Sequence, residues 1–124
     1  MPGPGCVVSA EQAAPGEAAE RRVVLGIGER AVVRRDRCQG ALAVRNRRPG
    51  DRFRPVGLGG KKKLQDFFVD RKVARGERDR VPIVVDESGG IVWVAGYSLD
   101  EEFRVTDPSQ AVIILRLKGV GGSD

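Results

Sequence analysis

Arginines stand at positions 45, 47, 52 and 54, glycines at 57, 59 and 60, and lysines at 61, 62 and 63. Between the arginine pairs lies Pro49-Gly50-Asp51, a strong turn signal. Alternate residues of an extended chain project to one side, so several of these arginines can face the same way. The turn sets Arg47 and Arg48 near Arg52 and Arg54. Glycines remove side chains where a backbone bends or a ligand comes close. Planar guanidinium forks suit phosphate, and each engaged cation releases counterions. The chemistry this implies is the holding of a polyanion.

Bond-making chemistry has little support. The chain has no histidine, which excludes Ser-His-Asp and Cys-His arrangements and His-based zinc sites. Cys6 and Cys38 lie far apart, form no CxxC pair and read as two reduced thiols of a cytosolic protein. Asp100, Glu101 and Glu102 could bind a cation weakly, but read better as a solvated turn. Gly26-Ile27-Gly28-Glu29-Arg30-Ala31 fits a dinucleotide fingerprint, yet β-like residues follow where a helix is needed. Before Gly60-Lys61, Pro55 occupies the first glycine position of a phosphate-binding loop, and Lys62 replaces its Ser or Thr. Ser88-Gly89-Gly90 begins like the SGGxDS loop of ATP pyrophosphatases, but lacks its Asp and second Ser. No catalytic residue, metal site or cofactor is expected in this chain.

Positioning falls to mainly β elements. In 124 residues with 17 glycines and 5% aromatics, many turns are expected around one core. Val7-Val8 could form a short strand. Val23–Ile27 and Ala31–Val33 read as a hairpin about Gly28-Glu29, and Ala41–Arg47 as a further strand. Leu64, Phe67 and Phe68 share one face of a short helix and anchor the basic segment to the core, with Lys61–Lys63 at or before its first turn. A second short helix is expected over Arg75–Arg80, stopped by Pro82. "VPIVVD" and "IVWVAGY" form the strongest hairpin signal, joined through Glu87–Gly90. Phe103–Val105 and Ala111–Leu117 supply further strands, with a turn at Asp107-Pro108-Ser109 between them. Near-continuous apolar runs such as Ile91–Ala95 imply strands covered on both faces. The domain is expected over 23–118, after a poorly ordered or partial segment 1–22 and before a frayed tail 119–124.

Charge distribution sharpens the site. The net charge is +5 overall, but residues 45–80 alone carry thirteen basic and five acidic residues. Aromatics for base stacking are scarce: Phe53 is the one aromatic within the basic loop, and Trp93 is expected in a strand core. Backbone and shape reading of a folded RNA is therefore favoured over single-strand base reading. A merely solvated basic face is the bland alternative. No stretch is long and apolar enough to span a membrane, and a cytoplasmic protein is expected.

"VRNRRPGDRFRPVGLGGKKKLQDFFVDRKVARGERDRVPIVVD" and the following "GGIVWVAGYSLDEEFRVT" resemble the C-terminal domain of tRNA(Ile)-lysidine synthases. The likeness runs through R-x-R-x-P-G-D-R-F-x-P, G-x-G-G-x-K-K-L-x-D-F-F, K-V, R-D-R-x-P and W-V-x-G. Ala74 departs from it, because members often have Pro there. The resemblance implies a tRNA-recognition domain with a layered β-sandwich-like fold, one or two short inserted helices, and similarity to a domain of the phenylalanyl-tRNA synthetase β chain. It implies a full enzyme, a ligase that uses ATP and magnesium to attach lysine to the wobble cytidine of an isoleucine tRNA. The ATP-pyrophosphatase domain for that step is expected in cis or in trans, this chain being a fragment or one half of a split enzyme. Arg45, Arg47, Arg48, Arg52, Arg54, Lys61, Lys62, Lys63, Lys72, Arg75 and Arg78 are the RNA-binding candidates, and Leu64, Phe67 and Phe68 the anchor. The alternative is a docking module for another domain or protein, with no RNA contact.

Overall fold

Apolar strands with two covered faces need a layer on each side, and the chain supplies both. The computed structural model describes residues 6–13, 21–107 and 109–119. A central sheet is formed by β3 (Ala43–Arg45), β6 (Ile83–Val85), β7 (Ile91–Val94) and β8 (Ser98–Leu99), in the order β3-β6-β7-β8. Its β6–β7 pair is the hairpin expected at Glu87–Gly90. One face packs on a second antiparallel sheet, in which β9 (Val112–Gly119) lies between β1 (Cys6–Ala13) and β2 (Arg30–Arg34). Ala31, Val33 and Leu115 meet Val84, Val92, Trp93, Leu99 and Phe103 in that interlayer core.

The other face of the central sheet is covered by the short ribbon β4 (Arg52–Phe53) and β5 (Lys62–Lys63) and by helix α2 (Leu64–Asp70). Leu64, Phe67 and Phe68 are buried there with Phe53, Val73, Ile83, Val85 and Ile91, as their i, i+3, i+4 spacing requires. Helix α3 (Arg75–Arg78) follows and ends before Pro82. The architecture is mainly β and layered, as expected. Continuous burial of Ile91–Ala95 reflects a strand between two cores.

Three local expectations are corrected. Val23 and Val24 belong to helix α1 (Arg21–Leu25), not to a strand. Val23 buries against Val32 and Val112 on the outer face of the β9 sheet, so tertiary packing overrides β propensity. Gly26 follows with φ +79°, its carbonyl accepting a 2.8 Å bond from the Trp93 indole. A Cβ there would lie 2.7 Å from the Leu99 nitrogen. The expected hairpin at Gly28-Glu29 is absent because β2 takes β9, distant in sequence, as its partner. Phe103 ends a 3-10 turn, Glu101–Phe103, because the Asp100 side chain caps it by accepting from the Glu102 N–H at 2.9 Å.

Extents also differ. β1 runs for eight residues rather than two, every one in register with β9 from Cys6↔Gly119 to Ala13↔Val112. β3 is only three residues, since Asn46 turns its amide to the Asp79 carbonyl at 2.7 Å. The expectations for residues 1–5, 14–20 and 120–124, and for Pro108 in its turn, lie outside the described residues.

Candidate nucleic-acid interface

Alternation along β4 decides which way the basic segment faces. Phe53 points inward, 1% exposed, with its ring 5.0 Å from Phe67 in an edge-on contact. Its neighbours Arg52 and Arg54 therefore point outward. The register Arg52↔Lys63 and Phe53↔Lys62 puts Lys63 on the same outer face, and Lys61 follows on that side. Lys62 shares the inner side and ion-pairs with Asp70. Four cations thus share one face of a two-stranded ribbon whose back is nailed into the core. Phe53 is an anchor and offers no base-stacking surface.

Two hollows flank this ribbon. Arg47, Arg48 and Lys63 line one beside the Pro49–Asp51 turn. Arg52, Arg54 and Lys61 line the other, together with Arg37. The expected pairing of Arg47/Arg48 with Arg52/Arg54 is thus resolved into two neighbouring basic hollows. Arg48, Arg52, Arg54, Lys61 and Lys63 make no ion pair or side-chain hydrogen bond among the described residues.

The remaining candidates are placed differently. Arg45 grips Asp51 through two bonds of 2.9 and 3.0 Å, largely buried, and so braces the turn. Arg47 bonds Asp79 at 2.8 Å, tying this loop to the end of α3. Arg78 donates to the Val73 carbonyl at 3.0 Å. Lys72 takes φ 58° where α2 ends, its N–H donating to the Val69 carbonyl at 3.0 Å. Lys72, Arg75 and Arg78 line neither hollow.

Acidic residues hold the cations in place. Glu102 is exposed, whereas Asp100 is 8% exposed, so the first residue of the acidic run is not solvated as expected. It accepts from the Arg54 N–H at 2.9 Å, while the Glu101 N–H donates to the Arg54 carbonyl at 2.7 Å. Burial pushes the Asp100 pKa up, against the pull of the Arg54 and Glu102 N–H groups. Val56 and Gly57 donate to Ser98 Oγ and Glu101 Oε1, both at 3.2 Å. Asp86 accepts from the Gln39 N–H at 3.0 Å and from Ser88 Oγ at 2.5 Å. Burial alone would raise the Asp86 pKa, but these bonds outweigh it and leave it below the ordinary value. Sequence reasoning missed Arg37, Phe53 and Asp100 as parts of the site. The alternation Arg52-Phe53-Arg54 carried the signal for Phe53. Nothing local marked the other two.

Among the described residues no group of three His, Cys, Asp or Glu could hold a metal ion. Burial, then Asp86 and Asp36, push the Cys38 thiol up to about 11, which makes it a packing group rather than a nucleophile. No helix among the described residues is long and apolar enough to cross a membrane.

Layered antiparallel sheets of this arrangement define a fold class that other solved structures share. An N-terminal fragment of the phenylalanyl-tRNA synthetase β-subunit from Pyrococcus horikoshii matches in fold alone, with TM-score 0.65 and 13% identity, covering 92% of this chain and 39% of that one. The crystal structure of a TilS C-terminal domain matches with TM-score 0.75 and 34% identity, covering 95% of this chain and 87% of that one. The family model "TilS substrate C-terminal domain" matches residues 42–116, and the chain belongs to that family. This bears out the resemblance carried by the R-x-R-x-P-G-D-R-F and K-K-L-x-D-F-F segments. A tRNA(Ile)-lysidine synthase of Caldanaerobacter subterraneus is 42% identical over 64% of this chain. Another, from Symbiobacterium thermophilum, is 46% identical over 71%. The chain spans only 17% and 19% of those two relatives.

Proposed function

We propose that this chain is the tRNA-binding C-terminal domain of a tRNA(Ile)-lysidine synthase, holding the backbone of an isoleucine tRNA while a catalytic domain performs the ligation. ATP and magnesium belong, in this reading, to that catalytic domain, joined in cis or in trans and working in the cytoplasm. The carrying observation is the outward row Arg52, Arg54, Lys61 and Lys63 on a ribbon fixed from behind by Phe53. Cations held on a rigid support lose less freedom on binding than cations on a mobile loop. Their neighbours Arg45, Arg47, Lys62 and Arg78 support the site from within, through their bonds to Asp51, Asp79, Asp70 and Val73.

The test is a titration of labelled isoleucine tRNA transcript with the chain across monovalent salt. Log K falls by about 4 per tenfold rise in salt if about four to five phosphates are engaged. The paired reversal Arg52→Glu and Arg54→Glu weakens binding and flattens that slope. Salt-independent affinity would overturn the proposal. Loss of association with the catalytic domain, with RNA affinity unchanged, would instead establish a docking module.

A further inference from the structure

The connection from β2 to β3 brings a further cation to the second hollow, from a segment separate from the ribbon. Arg37 ends the 3-10 turn Arg35–Arg37 and lines this hollow with Arg52, Arg54 and Lys61. Its neighbour Asp36 is occupied by Arg34, through bonds of 2.8 and 3.1 Å. Arg37 makes no ion pair or side-chain hydrogen bond among the described residues. It also precedes residues 42–116, so the family match does not include it.

Both walls of the hollow are anchored by the same device. Asp86 accepts from the Gln39 N–H at 3.0 Å, two residues beyond Arg37, and the Glu87 N–H donates to the Gln39 carbonyl at 2.8 Å. Asp100 and the Glu101 N–H hold Arg54 in the same manner. The other oxygens of the two aspartates are engaged by Ser88 and by the Glu102 N–H. These buried carboxylates are therefore turned to the backbone of the walls, while Arg37, Arg52, Arg54 and Lys61 make no ion pair among the described residues, Asp36 and Asp100 acting on Arg37 and Arg54 only through space. Glu102 differs: it is exposed at the hollow, and its carboxylate has no hydrogen-bond or ion-pair partner among the described residues. The two aromatics of the lining, Phe53 and Phe103, are 1% and 6% exposed and offer no face for a base.

We propose that this hollow is a two-walled phosphate clamp, with Arg37 opposing Arg52, Arg54 and Lys61 across one strand of RNA backbone. The inference rests on the tRNA-binding reading above. Two walls on separate anchors fix the direction of a strand, which a flat basic face cannot do. Asp86 and Asp100 are positioning residues of the clamp.

Arg35 supplies the control, because it lies on the same turn, is exposed and lines neither hollow. With isoleucine tRNA transcript as the probe, Arg37→Ala lowers affinity about tenfold at low salt and reduces the salt slope by about 0.9. Arg35→Ala leaves the slope unchanged. Glu102→Gln tightens binding, a gain that misfolding cannot produce. If Arg37→Ala and Arg35→Ala are indistinguishable, or Glu102→Gln brings no gain, while the Arg52/Arg54 reversal still weakens binding, the clamp is overturned and the RNA-binding reading stands. If that reversal also has no effect, both fall.

Discussion

Asp51 shows how one carboxylate can organise a binding loop. It accepts both guanidinium nitrogens of Arg45 and the Arg48 N–H at 2.8 Å, while its carbonyl accepts from the Leu64 N–H at 2.9 Å. Turn and helix start are thus joined through one residue. Burial alone would raise the Asp51 pKa, but the Arg45 pair and the Arg48 N–H outweigh it and hold it below the ordinary 3.8. A depressed folded pKa stabilises the protein above the unfolded value and ceases to do so as pH falls through the folded one. Asp51→Asn therefore lowers the Tm most at neutral pH, and its gap from the unaltered protein closes as pH drops below 3.8. A gap independent of pH, in thermal melts across the acid range, would refute this account. Asp100 shifts the opposite way, but it is common to both proteins and cancels.

The ribbon β4–β5 and helix α2 act as one element, because a two-residue ladder has no independent stability. Phe53, Phe67 and Phe68 form a connected aromatic group, with ring centroids 5.0 and 6.1 Å apart, that holds both pieces to the central sheet. Phe53→Ala costs about 3–5 kcal/mol in urea denaturation, whereas exposed Leu58→Ala stays within about 0.5 kcal/mol. Equal costs would mean that the ribbon is not anchored through Phe53. The helix was legible from Leu64, Phe67 and Phe68 because local spacing fixes its buried face. The ribbon was not, because a two-residue ladder leaves no periodic signal and its pairing depends on where α2 docks.

Across the whole molecule, β9 joins the most distant parts of the chain. It pairs with β1 on one side and β2 on the other, so its amide and carbonyl groups are engaged along both edges. Protection from hydrogen exchange follows this burial and pairing. Amides of Ile113 and Leu115 exchange among the slowest in the domain, and those of Lys62 and Lys63 much faster, by native-state exchange followed by NMR. Comparable rates in both strands would contradict this difference in pairing and burial. The β4–β5 ribbon lies on the opposite side of the central sheet from β9, so charge reversals on the ribbon leave β9 protection unchanged.

By itself the sequence determined the β-rich class, the β6–β7 hairpin, the helix at Leu64–Asp70 and the basic block over 45–80, because each rests on neighbours a few residues apart. It also carried the family, whose signature is spread through those same segments. Only the tertiary structure decided that Val23 is helical, that β2 pairs with β9, and that Phe103 ends a 3-10 turn. The first two depend on a partner far along the chain, and the third on the cap that the buried Asp100 side chain gives the Glu102 N–H. The same holds for the site. Period-two geometry separates Arg52 and Arg54 from Phe53, but only folding turns Arg45 and Arg47 to their carboxylates. Folding likewise brings Arg37 into the hollow that Arg52 and Arg54 line and sets Asp100 against the Arg54 backbone, since hydrogen bonds between distant segments, and not local propensity, hold those positions.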